Sequence, residues 1–240
     1  MYSAEFQKII DFRRSNRKFD PSIPVPSEVI QKSLERATLS PNSSNMQLWE
    51  FYWVRSEKLK KEFVPYCLNQ SAAKTAQELV VFVTRRDLWS KRAKWNYNKI
   101  KESTEGQDKS LIKGGLDYYS KAIPLVYMRD PFGFMGIVRR LICFFMGIRK
   151  PFVRLGGNAE QRITVQKSCA LAAQTFMLSI AAEGFHSCPM EGFDKYRVKR
   201  ALGLPWGAEI NMIIAVGKGT EEGIWGPRFR VPNEEVIFEV

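Results

Sequence analysis

Several features that define common protein classes are absent or rare in this sequence. Its 240 residues include one histidine, His186, and four cysteines, none of which forms a Cys-x-x-Cys pair, so we expect no Cys/His zinc site. The N-terminal residues lack the basic segment and apolar core of a secretory signal peptide. With so few cysteines, this predicts a protein of the reducing cytoplasm. No repeat, low-complexity tract or linker is present, which predicts one domain over residues 1–240.

An uninterrupted apolar run of membrane-spanning length is also missing. The most hydrophobic stretch, at about 130–157, is interrupted by Arg139 and Arg140, whereas a spanning helix needs about 20 apolar residues. We interpret this stretch as an inserted helix that covers a pocket or packs on a partner subunit. The pattern leaves one alternative open, an amphipathic helix lying on a membrane surface. Because we favour the first interpretation, we expect no binding to anionic vesicles.

Acidic residues are few relative to basic ones. The chain has 37 Lys+Arg against 25 Asp+Glu, a formal net charge of +12. Such a balance favours an anionic partner, which can be nucleic acid, an anionic membrane or a phosphorylated cofactor. The basic residues are dispersed and form neither a continuous stripe nor a known nucleic-acid-binding module. We therefore expect no nucleic-acid partner.

Residue periodicity predicts helices that alternate with a few buried strands. Apolar or aromatic runs at Trp49–Val54, Leu79–Thr84 and Ile210–Val216 are typical of strands. The longest helical pattern covers Asn158–Glu183, and its broad apolar face predicts a helix at the centre of the molecule or of a dimer. Shorter helices are predicted at Ser3–Arg14, from Ser27 onwards, at Leu59–Leu68 and at Lys195–Leu202.

Two further regions give less regular patterns. Asp87–Lys121 is polar and Lys-rich, and we expect it to be mostly helical with a break near Gly114–Gly115. Glu234–Val240 (EEVIFEV) predicts a short strand that has no partner nearby in the sequence.

Four short motifs contain residue types suited to binding a ligand. Arg13–Arg17 offers three guanidinium forks and a serine hydroxyl, which suit phosphate, although such a cluster is also typical of a solvated surface. Ser40–Trp49 is either a plain turn or a set of amides and hydroxyls for a heterocycle or a ribityl chain. In Cys188–Asp194, proline and glycine fix the backbone, and Asp194 is also a candidate helix N-cap. Gly226–Pro232 carries a second arginine cluster.

The order and spacing of these four motifs resemble the nitroreductase family of FMN-dependent oxidoreductases. The resemblance extends from about Asp11 to Val236 and is weak over about Asp87–Gly157. It implies an α+β fold of three layers, with a mainly antiparallel sheet flanked by helices. It also implies an intertwined homodimer with C-terminal strand exchange, in which Val236–Val240 completes the sheet of the neighbouring subunit.

The resemblance implies where the FMN phosphate binds. Arg13, Arg14 and Ser15 would hold it from the N-terminal side, and Arg228 and Arg230 would complete the phosphate site. Four arginines around one dianion would account for part of the positive net charge. We expect that replacing Arg13 and Arg228 with alanine yields a colourless protein.

The resemblance also implies contacts around the isoalloxazine ring. Arg17 would reach the N1–C2=O edge, where negative charge develops on reduction. The Glu191 backbone N–H would point at N5, the atom that exchanges hydride. The other implied flavin contacts are Pro189, Met190 and Gly192 along one face of the ring, Asn69 or Gln70 near the pyrimidine, and Pro41, Asn42, Ser43 and Asn45 from the second subunit.

Two residues of the second motif depart from the family pattern. Asn42 stands where serine is common, and Leu48 where proline is common before the tryptophan. Neither change removes the hydrogen-bonding capacity of the loop. His186 is interpreted as a structural residue near the pocket.

The implied activity is a ping-pong transfer of hydride. NAD(P)H reduces the flavin at N5, the nicotinamide leaves, and a small electrophilic acceptor such as a nitroaromatic or a quinone takes its place. One alternative is a family member specialised for dehalogenation, dehydrogenation or flavin breakdown. Another is a non-catalytic FMN-binding or membrane-peripheral protein.

Overall fold

The fold is built on one antiparallel sheet with helices packed on both faces. The computed structural model describes residues 2–103, 109–128, 133–153 and 157–240. Within these residues the strands are β1 Phe19–Asp20, β2 Trp49–Val54, β3 Glu78–Thr84, β4 His186–Met190 and β5 Glu209–Gly219. β3 lies between β2 and β5, and β1 and β4 each pair with β5.

The helices surround this sheet. They are α1 Ser3–Phe12, α2 Ser27–Thr38, α3 Glu57–Tyr66, α4 Ser71–Thr75, α5 Trp89–Ser103, α6 Lys109–Asp117, α7 Ile123–Tyr127, α8 Phe134–Arg149, α9 Asn158–Ala182 and α10 Lys195–Ala201. A π-helical turn, Tyr118–Ala122, joins α6 to α7. The strands predicted at positions 49–54 and 79–84 and the helices predicted to start at positions 3, 27 and 158 are therefore confirmed, with shifts of one or two residues at some of their other ends.

Alternation along β3 produces a hydrophobic core on each face of the sheet. Leu79, Val81 and Val83 are buried among residues of α3, α4 and α10. Val80 and Phe82 point the other way and are buried among residues of α2 and α9. Successive side chains of a strand face opposite sides of a sheet, so a run of apolar residues requires cover on both. The predicted three-layer α+β fold is confirmed.

The long helix α9 lies in the second of these cores. Phe176 packs edge-to-face on Phe82, with ring centroids 5.4 Å apart. At its start, the Glu160 carboxylate accepts the Gly157 N–H at 2.7 Å. At its end, Gly184 takes a left-handed conformation with φ of 78°, which suits glycine and stops the helix.

The predicted helix break at Gly114–Gly115 is wrong. Both glycines lie inside α6. A Cβ at Gly115 would stand 3.3 Å from the Ile100 side chain, so glycine lets α6 approach α5 closely. A glycine inside a helix costs about 1 kcal/mol relative to alanine, and these two are accommodated within α6.

The predicted strand at Glu234–Val240 does not form within one chain. Asn233–Glu235 makes a short 3-10 turn, and the residues after it are exposed. A strand needs a neighbouring strand for its backbone N–H and C=O groups. No strand of the described residues pairs with this segment, and the N–H groups of Val236 and Ile237 donate to the Asn233 carbonyl within the turn instead. Strand exchange between subunits stays a prediction.

The apolar stretch predicted at about 130–157 forms α8 over 134–149. The parts of that stretch at 130–132 and 154–156 lie outside the described residues. Across the described ranges, every helix is too short or too polar to cross a membrane.

Candidate functional site

Arginines from the two ends of the chain line one cavity. Its volume is about 170 Å³, and five of its nine lining residues are arginines while none is acidic. The lining residues are Arg13, Arg14, Ser15, Arg17, Trp225, Pro227, Arg228, Phe229 and Arg230. The first and fourth sequence motifs therefore meet in space, although they lie more than 200 residues apart.

Asn16 fixes the N-terminal wall of this cavity. Its side chain is buried and its Nδ2 donates to the Thr220 carbonyl at 2.7 Å, while its Oδ1 accepts the Lys18 N–H at 3.0 Å. Its backbone N–H donates to the Ser187 carbonyl at 3.2 Å. Asn16 thus joins the arginine motif to the loop after β5 through its side-chain amide and to β4 through its backbone N–H. Both polar atoms of the buried side chain are paired, as burial requires.

Two glycines make room for Asn16. A Cβ at Gly219 would lie 2.3 Å from the Asn16 Nδ2, and one at Gly223 would lie 1.8 Å from its Oδ1. The Gly223 carbonyl also accepts the Arg17 N–H at 2.8 Å. Asn16 had no predicted role, and the glycines at the end of β5 and in the loop after it were the signal that the backbone comes close there.

The C-terminal wall is held against the end of α1. The Arg228 Nη2 donates to the carbonyls of Ile10, Asp11 and Arg13 at 3.0, 3.0 and 2.7 Å. These carbonyls belong to the last turn of α1 and the residue after it, where a cation is favourable. In the opposite direction, the Arg14 Nη2 donates to the Gly226 carbonyl at 2.9 Å. Hydrogen bonds in both directions therefore hold the two arginine motifs together.

The cavity has a strong positive potential. Burial, followed by the charges of Arg228, Arg230 and Arg14, lowers the pKa of Arg13. Like charges held together are costly, and an anion in the cavity would relieve that cost. Guanidinium forks and a serine hydroxyl are donors that suit phosphate oxygens.

Trp225 is a lining residue that the sequence analysis did not predict. Its ring lies under the Arg17 guanidinium, 4.2 Å from ring centroid to Cζ, a cation–π contact. The Arg17 Nη1 also donates to the Ser15 carbonyl at 3.4 Å. Arg17 is therefore held at the border of the cavity. The signal in the sequence was the position of Trp225, a single aromatic residue in a loop between the glycines Gly223 and Gly226.

Strand β4 connects the cavity to the third motif. Ser15 forms a parallel bridge with Ser187 of β4, and the chain then extends about 13 Å to Glu191 at the usual rise of a strand. Glu191 and Gly192 are exposed, whereas the Met190 side chain is in the core. Of the contacts predicted for this motif, Met190 can offer its backbone only. Pro189 is partly buried.

Gln70 lies against the same turn. Its Nε2 donates to the Gly192 carbonyl at 2.6 Å and to the Cys67 carbonyl at 3.0 Å. The preceding residues Leu68 and Asn69 have φ of 55° and 57°, which marks a tight turn. Asn69 is exposed. Asp194, predicted as an N-cap, accepts the N–H groups of α10.

The loop of the second motif lies outside the arginine cavity. It packs along α9, where the Ser43 N–H donates to the Ser168 Oγ at 3.2 Å. The Asn42 Oδ1 accepts the Gln47 N–H at 2.8 Å and fixes the loop. Pro41 and Asn45 also line no part of the cavity. The assignment of this loop to the flavin of a second subunit stays a prediction.

His186 has a structural environment next to the site. Its Nδ1 accepts the Gly219 N–H at 3.1 Å, and its ring lies 4.5 Å from that of Phe12. Burial, and then the charge of Lys218, lowers its pKa. The imidazole is held neutral and serves as a hydrogen-bond acceptor.

The matches to known proteins agree on one class of fold. A protein named DrgA from Synechocystis is 28% identical over 211 residues, covering 88% of this chain and 82% of that protein. A Thermus thermophilus protein named NADH dehydrogenase is 27% identical, covering 94% and 91% of the two chains. A protein of Exiguobacterium sibiricum, solved in complex with FMN, has a TM-score of 0.66 at 21% identity and covers 98% and 97%.

The model of the nitroreductase family matches residues 10–218. The match covers most of the chain, and it includes the first three motifs but ends before the fourth. The chain belongs to the nitroreductase family. The fold is that of this family: helices on both faces of an antiparallel sheet.

Proposed function

We propose that this protein binds FMN and uses it to transfer hydride from NAD(P)H to a small electrophilic acceptor. The observation that carries the proposal is the cavity in which five arginines from both chain ends meet without an acidic residue. Such a cavity suits a phosphate dianion. A structural neighbour was solved with FMN and a relative is named NADH dehydrogenase, which supports the same cofactors here.

The residues of the cavity fit the phosphate end of FMN. Arg13, Arg14, Ser15 and Arg230 would surround it. Arg228 would contribute in two ways, because its guanidinium also binds the carbonyls at the end of α1. Burial and the neighbouring arginines lower the pKa of Arg13, so a negative charge beside it would relieve that repulsion.

Residues further along β4 would serve the isoalloxazine. When bound, FMN supplies a ring whose N5 accepts hydride from NAD(P)H and passes it to an acceptor. Arg17, stacked on Trp225, would stabilise negative charge at the N1–C2=O edge. The Glu191 backbone N–H would donate to N5, with Pro189, Met190 and Gly192 along the ring. Gln70 would hold the turn at Gly192 in place through its hydrogen bond to the Gly192 carbonyl. Asn69 is the residue before Gln70.

We infer a homodimer as the working unit. One chain leaves apolar residues exposed on the two segments predicted to form the dimer, namely Ile163 and Leu171 on α9 and Ile237 and Phe238 in the tail. Phe6 on α1 is exposed as well. A partner chain would bury them and gain the associated free energy.

The partner chain would also complete each site. The loop of the second motif would contact the flavin bound by the other chain through Pro41, Asn42, Ser43 and Asn45. The C-terminal tail of each chain would add a strand to the sheet of the other.

A cytoplasmic location agrees with the four free thiols. Burial raises the pKa of Cys67 to about 11 and that of Cys169 to about 12, so both stay protonated and unreactive.

An anaerobic titration tests the proposal. The purified protein should be yellow, and NADH or NADPH under argon should bleach it. A nitroaromatic or a quinone added afterwards should restore the colour. The protein before addition of nucleotide serves as the control. A protein that neither carries nor binds FMN would contradict the proposal, and a yellow protein that excess NADH and NADPH leave unchanged would show a carrier instead.

A further inference from the structure

Helix α8 exposes an apolar surface that is large for its length. Its large apolar side chains point away from the rest of the chain. The exposed ones include Ile137 (57%), Leu141 (53%), Ile142 (48%), Phe144 (55%), Phe145 (62%) and Ile148 (66%). At 100° per residue these positions cover an arc of about 160°. We call this set the α8 apolar face.

The narrow buried side of α8 is the more polar one. Gly136 and Arg139 are its buried residues. The Arg139 Nη1 donates to the Met128 carbonyl at 2.6 Å, and its Nη2 to the Asn158 Oδ1 at 3.4 Å. The helix is thus anchored to the body through an arginine and presents its apolar residues outwards, the reverse of a helix that belongs to a core. This orientation does not agree with a cover over a pocket of its own chain.

The segment that carries the α8 apolar face is basic in sequence. One carboxylate approaches it at the start of α9, where the Glu160 Oε2 and the Arg140 Nη2 lie 2.3 and 2.9 Å from the same point, a Cβ built on Gly157. Between Asp130 and Glu160 the sequence holds five Lys or Arg residues and no Asp or Glu. Arg140, Arg149 and Lys150 are exposed. Aromatic and aliphatic residues beside cations, with no acidic residue among them, form the pattern of a helix that lies in the headgroup region of an anionic bilayer.

We propose that α8 docks this protein on the surface of an anionic lipid membrane. The α8 apolar face enters the boundary between headgroups and acyl chains, and Arg149 and Lys150 contact lipid phosphates. The helix has 16 residues and lies in the membrane plane, since it is too short and too interrupted by arginines to span. The sequence alone favoured a pocket or a partner subunit. The outward orientation of the apolar residues goes against a pocket of the same chain, and the cations beside them favour lipid over a second subunit.

Self-association through the same face is less favourable. A two-fold symmetric interface places a patch against its own copy. The α8 of a second copy contains no acidic residue with which Arg149 and Lys150 could pair. Lipid phosphates provide the opposite charge that a second copy of this face lacks.

The test is co-sedimentation of the full-length protein with vesicles. Vesicles of phosphatidylcholine with phosphatidylglycerol should bring the protein down, vesicles of phosphatidylcholine alone should bind it weakly, and added salt should reduce binding. The double change Leu141→Ser and Phe145→Ser should weaken partitioning by about tenfold or more. The double change Arg149→Gln and Lys150→Gln should weaken it by about fivefold per charge.

A matched control is an exposed aromatic residue elsewhere. Trp206, in the loop after α10, is 95% exposed, and Trp206→Ser should bind vesicles as the unchanged protein does. Circular dichroism and thermal unfolding should confirm that each variant is folded. The docking test does not depend on the flavin, so its failure leaves the proposed reaction standing.

Two results would overturn the docking proposal. One is a protein that stays in the supernatant with both kinds of vesicle. The other is vesicle binding that the Leu141 and Phe145 changes leave intact. Loss of a dimer in sedimentation velocity on making those changes, without vesicle binding by the unchanged protein, would assign the α8 apolar face to a second copy of the chain.

Discussion

Arg13 lies where the two arginine clusters of the cavity meet. Its pKa is lowered by burial and by three neighbouring arginines, so a phosphate there both gains donors and relieves repulsion. Residue types alone predicted Arg13, Arg14 and Arg17, because guanidinium groups are suited to anions. They did not predict Asn16 and Trp225, whose roles depend on chain segments more than 200 residues away.

Replacing Arg13 with glutamine should weaken FMN binding selectively. Loss of one charge-assisted hydrogen bond costs about 1.5–3 kcal/mol, which corresponds to an affinity about 10- to 150-fold lower. Riboflavin has no phosphate, so its affinity should change little. Fluorescence titration measures both ligands. Arg55→Gln, at an exposed arginine stacked on Trp53, is the control. Equal losses for FMN and riboflavin would mean that Arg13 supports the fold and not the phosphate.

His186 should make stability depend on pH. Its folded-state pKa is lowered from an ordinary value of about 6.5, so the unfolded chain binds the proton more readily. Stability is therefore lost as the pH falls below about 6.5 towards the lowered pKa. Between about pH 7.5 and pH 5, Tm should fall more for the unchanged protein than for His186→Gln, which does not titrate there. Parallel losses in the two proteins would argue against this role.

At the scale of elements, the sheet was the most predictable part. The run Leu79–Val83 is apolar at every position, so its strand had to be covered on both faces, and the structure shows α3 and α9 on opposite sides. Close packing was not predictable in the same way. Glycine at 115 was interpreted as a break, yet it marks the place where α5 and α6 approach, which no local pattern records.

The junction between the arginine motif and the loop after β5 should tolerate no added atom. A Cβ at Gly223 would lie 1.8 Å from the Asn16 Oδ1 and 2.6 Å from the Lys18 backbone N. We expect Gly223→Ala to destabilise the protein by about 1–3 kcal/mol and to weaken FMN binding, as measured by urea unfolding and flavin titration. Gly114→Ala is the matched control, because no atom lies within 4 Å of the added methyl.

The change in the free energy of unfolding should have the opposite sign for this control. Alanine is the better residue inside α6, so Gly114→Ala should leave stability unchanged or raise it by up to about 1 kcal/mol. A Gly223→Ala protein as stable as the control, with full flavin, would show that Asn16 can move and does not fix the cavity.

At the scale of the whole molecule, the C-terminal tail is exposed along residues 231–240. The cavity ends at Arg230, whereas the tail continues to Val240. The sequence pattern predicts a strand there, whereas the single chain shows a turn followed by exposed residues. A strand forms only beside a partner strand, so pairing with a second chain stays a prediction.

Removing residues 233–240 should therefore weaken the dimer and leave the arginine cavity in place. Sedimentation velocity should show a larger monomer fraction at equal concentration, since Ile237 and Phe238 no longer gain burial. A chain that carries Glu234→Gln and Glu235→Gln keeps its apolar tail and should remain as dimeric as the unchanged protein. A truncated chain that is equally dimeric would rule out strand exchange as the source of the association.

The arrangement of Arg13 and Arg228 has a consequence for how the protein comes apart. The Arg228 guanidinium reaches the Arg13 carbonyl across 215 residues of sequence, so a phosphate held by both would act as a reversible cross-link that closes nearly the whole chain into a ring. Ligand binding to the folded state alone stabilises it in proportion to the logarithm of ligand concentration. The N-terminal and C-terminal segments would then unfold together when this ligand is bound. The same phosphate ligand would therefore slow proteolysis at both ends of the chain.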